Sequence, residues 1–243
     1  MTELVLSDGA KTVVRKLTEK GYKAYAVGGC VRDLLRGKTP DDYDIATSAF
    51  PENVAEVFSA YDVIPTGLKH GTVTVVIDKT PYEITTFRKD GNYPDGRRPE
   101  KVEFVDDLKE DLSRRDFTVN AMAYNDDEGL IDPFGGEQDL KNKILRCVGD
   151  PEKRFTEDAL RILRAARFCS TLSLTAEEET ARKAIKLAYK LKNVSAERIF
   201  TEINKLLLGE NVVGALLKFR KIVFEVIPEL SPCDGFMQRT PWH

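Results

Sequence analysis

At 243 residues, 42% hydrophobic and 32% charged, the chain is long enough to bury a sizeable core in one large domain or two modest ones. It has no run of about 18 apolar residues to cross a bilayer, and its first residues, "MTELVLSDGAKTVVRKLTEKGYKAYAV", carry acids where a secretory leader carries only bases, so a cytoplasmic protein with no membrane partner is expected. The net charge of -3 hides an asymmetry: residues 141–243 hold 19 Lys+Arg against 13 Asp+Glu (+6), which leaves 18 against 27 (-9) before them, a pattern that suits a polyanion against the second part and metal ions in the first, or simply solvated helix faces.

In chain order, residues 11–20 have the spacing of a short amphipathic helix stopped by Gly21, and "YKAYAV" follows as a strand. Cys30 to Arg36 is predicted helical after a glycine pair, and Tyr43 to Ala46 as a second strand. "GTVTVVID" and "YEITTFR" alternate and are rich in β-branched residues, a hairpin pattern whose turn is expected at Lys79, Thr80 and Pro81. "KDGNYPDGRRPEKVEF" has the Gly, Pro and charge content of a long mobile loop, "DLSRRDFTVNAMAY" that of a capped helix, and "DPFGGEQDLKNKILRCVGDPEKRF" that of a connection with one short strand. From Thr156 the pattern is helical almost to the end, so an α/β front half gives way to an all-helical back half between residues 140 and 155. Cys30, Cys147, Cys169 and Cys233 form no C-x-x-C pair and fit small buried side chains, and His70 and His243 are too few for a histidine-rich metal site.

The chemistry concentrates in "VGGCVRDLLRGKTPDDYDIATSA". In a strand, residues two apart share a face, so Asp42 and Asp44 set two carboxylates side by side with about 6 to 7 Å between their Cα atoms. Such a pair is relieved by divalent cations, which in phosphoryl transfer activate the attacking oxygen and neutralise the leaving phosphate. Glu83, the one acid in "YEITTF", is a candidate third ligand. Gly28 and Gly29 between a predicted strand and a predicted helix fit either a tight turn or a phosphate-binding backbone, and Arg32 would add a guanidinium for a phosphate oxygen.

This stretch closely resembles the signature of the nucleotidyltransferase family that contains the class II CCA-adding tRNA nucleotidyltransferases and the bacterial poly(A) polymerases. The resemblance continues through "HGTVTVVI", "YEITTFR", "DLSRRDFTVNAMAY", "DPFGGEQDL" and "RFTEDALRILRAARF", covering roughly residues 20 to 205. It implies an α+β fold: a mixed-sheet nucleotidyltransferase head of the polymerase-beta type at residues 1–140, a helical neck with a base-selecting helix at 141–209, and the start of a helical RNA-binding body at 210–243, shorter than the body and tail of such chains. It also implies that Asp42 and Asp44 bind catalytic Mg²⁺, with Glu83 as the third carboxylate. Gly28, Gly29 and Arg32 would contact the triphosphate, and Arg115, Asp116 and Asn120 would surround the sugar.

In "TEDALRILRAARF", Ala159, Leu160, Ile162, Leu163 and Ala166 make a face for burial, while Asp158, Arg161 and Arg164 recur every three residues on the other. Intrahelical ion pairs explain that spacing; so does base recognition. An Asp that accepts from an exocyclic amino group and an Arg that donates to a ring acceptor suit both cytosine and adenine, whereas guanine and uracil reverse the order and leave both side chains mismatched. The resemblance assigns this protein template to Asp158 and Arg161. It further suggests that the loop from Arg88 to Glu100, with Asp90, Asp95, Arg97 and Arg98, reshapes the pocket between additions. In "SAERIFTEINKLLL", Ser195 is expected to cap a helix that carries an Arg198–Glu202 pair one turn apart and braces the base-selecting helix. The expected reaction is attack of a tRNA 3′-hydroxyl on the α-phosphate of CTP or ATP, with release of pyrophosphate. An A-specific enzyme of the same family and a non-catalytic RNA-binding fragment are the alternatives, and the oligomeric state is not specified by the sequence.

Overall fold

The computed structural model describes residues 4–91 and 102–236, which fall into two units, one ending at Gly149 and the other beginning at Asp150. In the first unit, α1 (Asp8–Glu19) is capped by Ser7, whose hydroxyl accepts from the Ala10 amide, and it buries Ala10, Val13, Val14 and Leu17 at helical spacing. The strand β1 (Ala24–Val27) follows, then α2 (Gly29–Leu35), β2 (Asp44–Thr47), α3 (Pro51–Val57), β3 (Asp62–Gly67), β4 (Thr72–Ile77) and β5 (Thr80–Thr86). Two further strands, β8 (Ala123–Asn125) and β9 (Gly129–Ile131), complete a seven-stranded sheet in the order β3-β4-β5-β2-β1-β8-β9. It is mixed: β2 and β5 run parallel, the remaining neighbours antiparallel.

Both faces of the sheet are covered, and the side-chain period of two divides β1 between them. Ala24 and Ala26 join a core with α1, α2 and α3 that includes Leu17, Ile45 and Phe58, while Tyr25 and Val27 join a second with Ala46, Phe87, Leu112 and Ala123. Each fully buried Leu, Ile or Phe here contributes about 1.5 to 3 kcal/mol. Every residue of β1 is buried, and its four residues accordingly read as one apolar run.

The hairpin between β4 and β5 turns at Asp78 and Lys79, both at positive φ (50° and 64°), a left-handed pair that matches strand twist. Thr80 and Pro81, expected in the turn, are instead strand residues paired with Ile77 and Val76; Pro81 is tolerated because β2 joins β5 only from Glu83 onward. The root of the expected loop is also ordered, since β6 (Arg88–Asp90) pairs with β7 (Val102–Phe104). Of the loop residues, Asp95, Arg97 and Arg98 lie outside the described residues. "DLSRRDFTVNAMAY" is not one helix: α4 (Leu108–Ser113) ends before Arg114, a 3-10 turn spans Thr118–Asn120, and β8 takes the rest. The connection beyond it holds α5 (Gly136–Lys141) and β10 (Ile144–Leu145).

The second unit contains α6 (Pro151–Glu157), α7 (Leu160–Thr171), the short β11 (Thr175–Ala176), α8 (Glu178–Lys186), α9 (Ala196–Leu207) and α10 (Val212–Val226). Helix α7 is its centre, packed against α9 and α10; Leu160, Ile162, Leu163 and Ala166 are buried as the spacing predicts, as is Ala159 just before the helix, and Ala165 is buried in addition. Among the described residues no helix is long and apolar enough to cross a membrane.

Candidate active site

The site of the first unit is built where β1 ends. Val27, its last residue, pairs with Asp44 on one side and Ala123 on the other, and Asp44 pairs in turn with Glu83. Directly opposed strand residues project to one face, so Asp44 and Glu83 stand together at the sheet end. Tyr43 turns the other way into the core, which leaves Asp42 and Asp44 on the same side of the chain. All three carboxylates are exposed to solvent. The protein packed around Asp44 nevertheless pushes its carboxyl up to about 6; Arg115 opposes that rise, and the charges of Asp42 and Glu83 add to it. Among the described residues no three Asp, Glu, His or Cys side chains are gathered tightly enough to hold an ion outright. The donor set still fits a hard divalent cation, because it is all oxygen and its members repel one another.

Gly28 adopts φ 78°, and a Cβ there would stand 2.8 Å from the Nη1 of Arg115. Its amide donates to the Met122 carbonyl (3.1 Å) and its carbonyl accepts from the Arg32 amide (3.2 Å). Gly28 therefore contributes room for a guanidinium; of the two expected roles, tight turn or phosphate-binding backbone, its own N–H is engaged within the protein and serves the first. Arg32 holds Asp33 through Nε (3.1 Å) and Nη2 (2.7 Å) and donates from Nη1 to Asn120 Oδ1 (2.6 Å). Asn120 donates to Asp116 Oδ1 (3.0 Å), which also accepts from the Phe117 amide (2.8 Å). The glycine pair, Arg32, Arg115, Asp116 and Asn120 are thus brought together around the end of β1. Asp90 is set apart from them, joined to Arg88 (3.2 Å) and Arg114 (3.4 Å) at the root of the β6–β7 hairpin.

One residue of this region went unremarked in the sequence, Asp111. The carboxylate of Asp111 is buried and accepts from Arg114 and Arg115. The signal was available: Asp111 lies three and four residues before the two arginines, the spacing of neighbours on a helix.

In the second unit Asp158 is not a member of the α7 helix. Its backbone is extended (φ -136°, ψ 106°), and its Oδ1 accepts from the Leu160 amide (3.0 Å), so it separates α6 from α7 and caps the latter. Its Oδ2 accepts from Arg198 of α9 (3.0 Å). Arg161 donates to Glu157 (2.8 Å) and to the Arg154 carbonyl (3.3 Å), and Arg164 lies over the Phe168 ring at 5.2 Å. The expected Arg198–Glu202 pair is replaced by two contacts with the neighbouring segment, because Glu202 joins Arg167 (2.8 Å) while Arg198 takes Asp158. Ser195 occupies the N-cap position of α9 without a side-chain cap bond.

The poly A polymerase head domain family matches residues 24–146, and a second family, described as the probable RNA and SrmB-binding site of polymerase A, matches residues 173–232. A CCA-adding enzyme of Leuconostoc mesenteroides subsp. mesenteroides is 47% identical over 220 residues, 90% of this chain and 54% of that protein. Among solved structures, the Bacillus stearothermophilus CCA-adding enzyme in complex with CTP superposes with a TM-score of 0.79 at 45% identity, over 86% of this chain and 50% of that one. A tRNA nucleotidyltransferase complexed with a primer tRNA and an incoming ATP analog gives 0.72 at 34% identity, over 93% and 64%. The chain spans about half the length of the curated relatives it matches. Since the head-domain match takes in just over half of the sequence and holds the glycine pair and all three carboxylates, the chain belongs to the poly A polymerase head domain family.

Proposed function

We propose that the chain is a tRNA nucleotidyltransferase that adds C, C and A to the tRNA 3′ end from CTP and ATP, releasing pyrophosphate, and that it works in the cytoplasm. The observation that carries this is the pairing of Asp44 with Glu83 at the strand end beside Gly28, with Arg115 against the glycine. Acids able to gather divalent charge thus adjoin guanidinium groups able to hold phosphate. Asp42 and Asp44, supported by Glu83, would hold Mg²⁺, which when bound supplies Lewis acidity at the α-phosphate and helps form the nucleophile. Arg32 orients the triphosphate, and so does Arg115, expected at the sugar but packed against Gly28; Gly28 and Gly29 leave the triphosphate space. The mutually bonded Asp116 and Asn120 meet the ribose hydroxyls.

Base choice falls to Asp158 and Arg161. The two bonds on Asp158 leave carboxylate lone pairs for the amino group of cytosine or adenine, and the guanidinium of Arg161 is of the type that donates to the ring acceptor, with Arg164 three residues further on. The resemblance of the chain to a CCA-adding enzyme solved with CTP, and to a tRNA nucleotidyltransferase solved with tRNA and an ATP analog, supports these substrates. Residues 1–140 would act as the catalytic head and 141–209 as the neck, with 210–243 beginning the body that meets tRNA; Asp90, Asp95, Arg97 and Arg98 adjust the pocket between additions. Replacing Asp42 or Asp44 by Ala is expected to lower incorporation of labelled CMP at least 10³-fold with an unchanged circular dichroism spectrum. Retained incorporation by either variant contradicts the proposal.

A further inference from the structure

Asp111 is 1% exposed, yet four donors converge on it. Its Oδ1 accepts from the Arg88 amide (3.2 Å) and from Arg114 Nε (3.0 Å) and Nη2 (2.8 Å), and its Oδ2 accepts from Arg115 Nη2 (3.3 Å). Arg114 is shared with Asp90 at the root of the β6–β7 hairpin. The two ends of the Arg115 guanidinium are therefore in different surroundings: Nη2 on Asp111, and Nη1 2.8 Å from where a Gly28 Cβ would be. Its Nε is buried without a hydrogen-bond partner among the described residues. A long arginine loses rotamer freedom when fixed, so a group that fixes it before substrate arrives shifts that cost out of the binding step.

We propose that Asp111 is a positioning residue for the incoming nucleotide: it holds Arg115 against Gly28 so that the guanidinium meets the triphosphate already oriented. This rests on the nucleotidyl-transfer reading above. A purely structural Asp111 would only tie Arg88, Arg114 and Arg115 together, and its loss would weaken every ligand alike or none.

The two roles are separated by equilibrium binding of CTP and of CMP, which lacks the β- and γ-phosphates, to the full chain and to Asp111→Asn, Arg115→Ala and the double variant, with melting temperatures recorded for each. Asp111→Asn is expected to weaken CTP about tenfold and to leave CMP unchanged, and to add nothing in the Arg115→Ala background. Equal losses for CTP and CMP, or an additive loss in the double variant, overturn the proposal. Should the asparagine variant fail to fold, Asp111→Glu keeps the charge and displaces it by one methylene. A loss of about threefold for CTP alone is then expected, and no loss or a shared one overturns the proposal. A wild-type chain that binds neither CTP nor ATP is a distinct result: it refutes the nucleotidyl-transfer reading, and this proposal with it.

Discussion

Asp44 carries the strongest tension at the residue scale. Its pairing partner is another acid, Asp42 stands two residues away, and the surrounding protein raises its carboxyl from the ordinary 3.8 to about 6. The folded chain thus retains a proton on Asp44 up to about pH 6, whereas the unfolded chain releases it near pH 4. Stability from this group is full below pH 4, declines as the pH rises, and is gone above pH 6. In chelator-treated protein, Asp44→Asn should therefore melt higher than the parent at pH 7 and level with it at pH 4. Solvent exposure limits the difference to about 1 kcal/mol, or roughly 2 to 4 °C; calorimetry that found the same offset at both pH values would contradict it. The D-x-D alternation was legible because a strand period of two is local. The state of the Gly28 amide was not, because its acceptor, Met122, lies just before β8, far along the chain. Asp111 was legible only as spacing, since its burial depends on three arginines arriving from two elements.

At the scale of elements, the join between α6 and α7 shows how local pattern and tertiary structure part company. Spacing by three placed Asp158, Arg161 and Arg164 on one continuous helix; the chain breaks at Asp158 because its short carboxylate bonds the Leu160 amide two residues on. Asp158 thereby faces both helices of the join and reaches Arg198. Asp158→Ala is expected to cost about 1 to 2 kcal/mol from the lost cap and ion pair, and to blur base choice so that UTP or GTP is incorporated beside CTP and ATP. Unchanged selectivity in a competition assay removes the template role. Glu202, buried on α9 against Arg167, is purely a brace: Glu202→Ala should destabilise the chain by about 3 kcal/mol in urea melts while base selectivity persists. The sequence paired Glu202 with Arg198 because intrahelical spacing is visible in one dimension; that this helix braces α7 was expected, but that Glu202 does so through Arg167 was not. The β4–β5 hairpin was found for the opposite reason, two alternating runs close in sequence, although its turn lies at Asp78 and Lys79.

For the whole molecule, the division into an α/β part and a helical part follows from a change of hydrophobic period, and the chain passes from the first unit to the second between Gly149 and Asp150. The charge asymmetry is less simple than the counts suggest. In the basic run of α8 and the turn after it, Arg182 is paired with Glu179 and Lys183 with Glu152, so a polyanion would find Lys186, Lys190 and Lys192 more readily than those two. Membership in the poly A polymerase head domain family is compatible with addition of C, C and A, with addition of A alone and with long A tails, since the template proposed for Asp158 and Arg161 would admit adenine in every case. The choice among them is made by the order and number of residues added. The decisive measurement supplies three tRNA transcripts, ending at the discriminator base, after one C and after two, with CTP, ATP or both in Mg²⁺, and sequences the product 3′ ends. The first transcript is expected to gain C, C and a single A and then stop; extension of the third transcript alone, or no extension of any, would contradict CCA addition.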